Sequence, residues 1–240
     1  MASEHQEGER LRLGFAVARS LVAAAIVAAV VGQLRTSLAY WAGLGITEPT
    51  IQLVNFFSFF TIESNLAAVV TLGIGAVLLL TRRRPDPAWF QVLRLCVTTY
   101  MVTTGVVYNA LLRGIELPQG SLLPWSNEVL HVVAPVWLLV DWCFAPGRTP
   151  LEWRRVRAVV VFPIVWVVYT LVRGPFTPDA VKHADHWYPY PFLDPALAAT
   201  GYWSVVIYVV AIAIVIAIVG LAAIWVSRRF PPPARRLARG

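Results

Sequence analysis

The sequence predicts an all-α polytopic membrane protein, a bundle of six transmembrane helices with both termini in the cytoplasm. Three observations lead there. Of 240 residues, 58% are hydrophobic and only 14% charged, with a mean hydropathy of +0.65. That balance suits lipid rather than water. Apolar runs that reach or approach the roughly 20 residues needed to cross hydrocarbon lie near 12–34, 51–80, 88–112, 125–145, 156–173 and 202–226. The arginines between them alternate. Arg10 and Arg12, Arg82 to Arg84, Arg148, Arg154, Arg155 and Arg157, and Arg228, Arg229, Arg235, Arg236 and Arg239 fall at one set of ends. The other ends hold only Arg35, Arg113, Arg173 and Lys182. Basic residues gather on the cytoplasmic side, which orients the bundle in the cell membrane. The same rule accounts for the net charge of +7. No aromatic-basic surface module points to nucleic acid, so the expected partners are membrane lipids.

Each element has its own justification. Glu4, Glu7 and Glu9 are unlike the basic start of a cleaved signal, and the first run is long enough to remain as a span. The second run carries Ser58, Thr61, Glu63, Ser64 and Asn65, polar groups that are costly at membrane depth without partners. A continuous helix would place Ser58, Thr61 and Asn65 at i, i+3 and i+7 on one face, with Glu63 roughly opposite. The third span carries Thr98, Thr99, Thr103 and Thr104, of a type that mostly mediates helix packing. Tyr108 and Asn109 follow near its outer end, at the rim of any cavity there. The fourth holds His131, the only histidine within a span, with Asn127 and Glu128 one turn before it. Pro135 lacks the amide that would bond the His131 carbonyl, so the helix should bend there and free an acceptor. Asp141 lies about 15 Å deeper, at a depth similar to Arg94 and within reach of that of Arg19, and reads as a structural ion pair or an interface anchor, with a proton relay as the sharper alternative.

The long outer segment from Gly174 to Gly201 contains Trp187-Tyr-Pro-Tyr-Pro-Phe-Leu-Asp-Pro195. Its prolines forbid a regular helix, and its aromatics suit a membrane interface, as a lid over the outer mouth or as a plain anchor. Residues 1–230 form a single domain, and 231–240 a disordered, Pro/Arg-rich cytoplasmic tail. Cys96 and Cys143 lie near cytoplasmic ends, where a disulfide is not expected. His183-x-x-His186 with Asp179 and Asp185 is a weak zinc pattern in a loop, and neither metal nor cofactor is expected.

Depth connects the second and fourth spans. Thr61 lies about 15 Å below Ile51, and His131 about 9 Å below Trp125, which puts both in the outer half of the bilayer. A threonine hydroxyl needs a base to become a nucleophile, and histidine is one at neutral pH. Asn65, Ser58 and Asn127 are candidate donors to a developing oxyanion.

Four stretches then resemble a known family: Asn55-Phe-Phe-Ser-Phe-Phe-Thr-Ile-Glu-Ser-Asn-Leu66, Thr104-Gly-Val-Val-Tyr-Asn109, Leu130-His-Val-Val-Ala-Pro135 leading to Asp141-Trp142, and Tyr188-Pro-Tyr-Pro-Phe-Leu193. They are similar to the bacterial predicted six-transmembrane (Pr6Pr) branch of the androgen-induced and androgen-dependent TFPI-regulating protein superfamily. The resemblance implies an intramembrane threonine hydrolase of lipid esters, such as fatty acid esters of hydroxy fatty acids. His131 takes the place of the catalytic histidine and Thr61 that of the threonine, with Ser58 as the alternative nucleophile. The competing expectation is a non-catalytic, lipid-binding or structural six-span protein whose polar residues only hold helices together.

Overall fold

The computed structural model describes residues 2–81, 85–115, 121–197 and 199–230, with side chains from Gln6 onward. Arg82 to Arg84 and the expected tail at 231–240 fall outside the described residues. The elements are α1 (Ala2–Gly43), α2 (Thr50–Phe57), α3 (Phe60–Thr81), α4 (Ala88–Val107), α5 (Pro124–Glu128), α6 (Ala134–Phe144), α7 (Val156–Arg173) and α8 (Tyr202–Arg229). Among the described residues, six helical segments are long and apolar enough to cross a membrane, and the chain is a multi-pass membrane protein.

Two expectations about the spans change. The first helix covers 42 residues, about 63 Å at 1.5 Å per residue. It therefore extends well beyond 12–34 and takes in Arg35. The second run is not one helix. It breaks between α2 and α3, where the Ser58 hydroxyl bonds back to the Val54 carbonyl at 2.7 Å and the Ser58 carbonyl accepts from Trp166 Nε1 at 3.0 Å. Such back-bonding bends helices, and here a neighbouring span takes the carbonyl.

The helix α4 is the most enclosed span. One side meets α3 and α6, the other α7 and α8, while α1 packs along α3. On α8, Trp203, Ile207, Val210, Ile214, Ile218, Leu221 and Trp225 are exposed. They recur at three- and four-residue steps, the outward stripe of a lipid-facing helix.

One end of the bundle is tied by buried charge. Asp141 accepts from Arg19 Nε at 2.7 Å and Arg19 Nη2 at 3.0 Å, and from Arg94 Nη2 at 3.1 Å. Arg94 also reaches Asp86 at 2.7 Å, and Arg19 Nη1 donates to the Gly75 carbonyl at 2.7 Å. The ion pair is thus a network of four charged residues from α1, α4, α6 and the approach to α4, tied to α3 through the Gly75 carbonyl. Gly75 must lack a side chain, since a Cβ there would lie 2.6 Å from Arg19 Nη1. The thiols of Cys96 and Cys143 are free.

At the other end, residues 187–193 fold inward. Trp187, Tyr188, Tyr190 and Leu193 are buried, and Trp187 packs edge-on against Phe59 with ring centroids 5.6 Å apart. A Cβ on Gly174 would lie 2.3 Å from the Tyr188 ring, so glycine admits the segment. The segment is a lid packed into the bundle, not a plain anchor at its surface. Its weak metal pattern disperses: Asp179 accepts from the Val181 and Lys182 amides, and His186 pairs with Asp194 at 3.2 Å.

Candidate active site

Thr61 and His131 meet. Thr61 Oγ1 lies 3.2 Å from His131 Nε2, and both residues are buried at 8% exposure. The other ring nitrogen, Nδ1, is 2.9 Å from the Asn127 carbonyl. A carbonyl can only accept, so Nδ1 carries the proton and Nε2 presents its lone pair. Thr61 therefore donates to Nε2, the arrangement a general base requires.

Local helix geometry places these groups. The chain widens to a π-helical turn over Val129–Val133, just before Pro135. A second π turn, Tyr108–Leu112, continues α4. Single π turns inside helices recur at functional sites. The two turns face each other: the Tyr108 ring stacks on His131 with centroids 3.8 Å apart and planes 26° apart. The carbonyl that Pro135 frees on His131 is taken by Asn109 Nδ2 at 3.3 Å. Gly105 makes this approach possible, because a Cβ there would sit 3.0 Å from Pro135 Cβ and 3.2 Å from the His131 carbonyl. Outside the pair, Arg113 links Asn109 Oδ1 at 2.9 Å to Glu128 at 2.8 Å.

The supporting residues named from sequence are near, but several act differently. Asn65 Nδ2 donates to the Thr61 carbonyl at 2.9 Å and the Leu130 carbonyl at 3.3 Å, so it fixes the two spans rather than facing an oxyanion. Asn127 Nδ2 donates to Tyr108 Oη at 2.5 Å. Ser58 does not share the Thr61 face. The helix break carries it toward α7, where its hydroxyl contacts Tyr169 Oη at 2.9 Å. Tyr108 is a buried wall rather than a rim residue, whereas Asn109 is exposed. Glu63 keeps a buried Oε2 without a hydrogen-bond partner and stays outside the pair.

Tyr190 is the residue sequence reasoning missed. Its hydroxyl lies 3.3 Å from Thr61 Oγ1 and accepts from the Thr61 amide at 3.2 Å. That amide belongs to the first turn of α3, where N–H groups lack helical partners. Burial pushes the Tyr190 phenol up to about 12, so it holds its proton at neutral pH. The Tyr188-Pro-Tyr-Pro motif marked the segment, but no spacing rule says which of its aromatics reaches 129 residues back.

Two cavities adjoin the pair. The larger, about 290 Å³, lies between α4, α7 and α8 beneath the lid, and is walled by Phe60, Thr61, Thr104, Tyr108, Trp166, Tyr190 and Ile216 among others. It is close to the lower end of the range for small-molecule sites, and overwhelmingly apolar. The smaller, about 40 Å³, lies on the α1 and α5 side, where Gln33, Ser126, Asn127, His131 and Thr61 share the wall with apolar side chains that include Phe56, Phe59, Leu122 and Leu130. No protein-family model, curated protein or solved structure matches the chain.

Proposed function

We propose that the protein is an intramembrane hydrolase of lipid esters, with Thr61 as nucleophile and His131 as base, and that it belongs to the six-span family its motifs resemble. Esters of the type formed between fatty acids and hydroxy fatty acids are the substrate class that resemblance implies. The further reading is a cell-membrane protein with cytoplasmic termini, consistent with its arginine distribution. The observation that carries the catalytic reading is the 3.2 Å contact between Thr61 Oγ1 and an Nε2 whose partner nitrogen is held by a carbonyl, at the wall of an apolar chamber.

The acyl chain occupies the chamber between α4, α7 and α8. Thr61 Oγ attacks the carbonyl carbon as its proton passes to His131 Nε2. Tyr190 Oη, already beside Thr61, donates to the oxyanion as charge develops. The tetrahedral intermediate collapses, the alkoxide leaves with the proton from His131, and the acyl group remains on Thr61. Water then attacks the acyl-threonine, again giving its proton to His131, and the acid departs as Thr61 recovers its hydrogen.

The test uses purified protein in detergent or nanodiscs with a panel of long-chain esters and a fluorophosphonate probe. The wild type should hydrolyse some of the panel and be labelled, and Thr61→Ala and His131→Ala should do neither. Turnover or labelling that persists in both variants removes the assignment. A folded wild type with no reaction leaves the non-catalytic lipid-binding reading, in which Thr61 and His131 serve to join α3 to the fourth span.

A further inference from the structure

Thr61 is the one residue shared by the walls of the two cavities, and the two differ in chemistry. The larger is a hydrocarbon chamber. The smaller, about 40 Å³, contains the base His131 and has too little room for a chain. A buried water occupies about one probe sphere, about 10–15 Å³, and needs two to four polar partners; a cavity of this size has room for water.

Most polar groups around the small cavity are already engaged. The Gln33 amide bonds the Ser121 carbonyl and the Leu123 amide, and Ser126 Oγ bonds the Ala29 carbonyl. Asn127 is the exception. It is 5% exposed and lines the cavity, and its Oδ1 has no hydrogen-bond partner. Turning the amide over would not change this, since only one of its two ends meets Tyr108 Oη. An unpaired amide end in such a place is costly, and a water would relieve the penalty.

We infer that the small cavity is the site of the hydrolytic water, positioned by the Asn127 side chain, so that the acyl chain and the water reach Thr61 from opposite sides. This rests on the hydrolase reading and extends it. Once Thr61 carries the acyl group, the water on the His131 side attacks its carbonyl carbon. Nε2 takes the water proton and then returns it to Thr61 Oγ, releasing the carboxylic acid.

The test is pre-steady-state hydrolysis of a long-chain p-nitrophenyl ester by the full-length protein in nanodiscs. Asn127→Leu removes the amide. Leu122→Trp fills the cavity from a half-exposed wall position, away from the Tyr108 contact. In both, the first turnover should stay fast while steady-state turnover falls about 10²-fold. Acyl-Thr61 should then accumulate in intact-mass spectra. Methanol should capture the wild-type acyl-enzyme as a methyl ester, whereas octanol should not. The inference is overturned if burst and steady state fall together, if neither changes, or if octanol captures as well as methanol. A wild type that neither turns over nor is labelled refutes the underlying hydrolase reading instead.

Discussion

Replacing Tyr190 by phenylalanine removes a single oxygen. The ring stays packed: its stacking on Phe192 at 5.2 Å and its edge contact with Phe59 at 5.6 Å need no hydroxyl. What is lost is the bond from the Thr61 amide at 3.2 Å and the contact with Thr61 Oγ1 at 3.3 Å. The first loss leaves a buried N–H unpaired, a destabilisation of about 1–3 kcal/mol, and the length of the bond argues for the low end. The second removes the donor to the oxyanion, for which the usual effect is about 10²–10³ in kcat. KM should hardly move, because the chamber wall keeps its shape. The assay is steady-state hydrolysis of a long-chain ester in nanodiscs, with thermal unfolding of the same samples. Since burial pushes this phenol up to about 12, it donates throughout the working range. Wild type and variant should then share one pH profile below about pH 10. The sign for stability follows. The folded value lies above the free value, so the stabilising effect is complete below pH 10 and is lost as pH rises through 12. A variant with unchanged kcat, or with its whole effect in KM, refutes the donor role.

Other outcomes follow from the same geometry. Ser58→Ala should keep fluorophosphonate labelling while Thr61→Ala loses it, because Ser58 faces Tyr169 rather than His131; loss in both would return Ser58 to consideration. Asp141→Ala removes the carboxylate paired with buried Arg19 and one of the two paired with Arg94, and should destabilise the fold by about 3–5 kcal/mol in detergent melts, and an effect below about 1 kcal/mol would deny the network its role. Gly105→Val drives a side chain against Pro135 and the His131 carbonyl. Displacing the histidine by about 1 Å should cut turnover about 10²-fold with folding retained, and wild-type turnover would show that the close approach is dispensable.

Much of the site was legible in the chain itself. His131 stood out because a membrane span tolerates so few ionisable groups, and Thr61 because its helix carries hydroxyls and amides where lipid-facing residues belong. Depth could be counted at a fixed rise per residue, and it put the two at similar levels of neighbouring spans, where they meet. Pro135 announced a freed carbonyl, and Asn109 answers it. What failed was the phase of Ser58, which assumed an unbroken helix. The break depends on Trp166, 108 residues away, taking the Ser58 carbonyl.

The sequence by itself determined six apolar spans and marked the polar pair at matching levels of two of them. These follow from hydrophobic length, from the rise of a helix and from the penalty on unpaired polar groups in hydrocarbon, all local in the chain. Only the tertiary structure decided which nitrogen of His131 faces Thr61, that Asn65 braces the spans, and that Tyr190 reaches from the segment after Gly174 to Thr61. Those are matters of side-chain direction between distant segments. A hydrogen bond of about 3 Å tolerates little error in position or angle, and no spacing along the chain carries that precision.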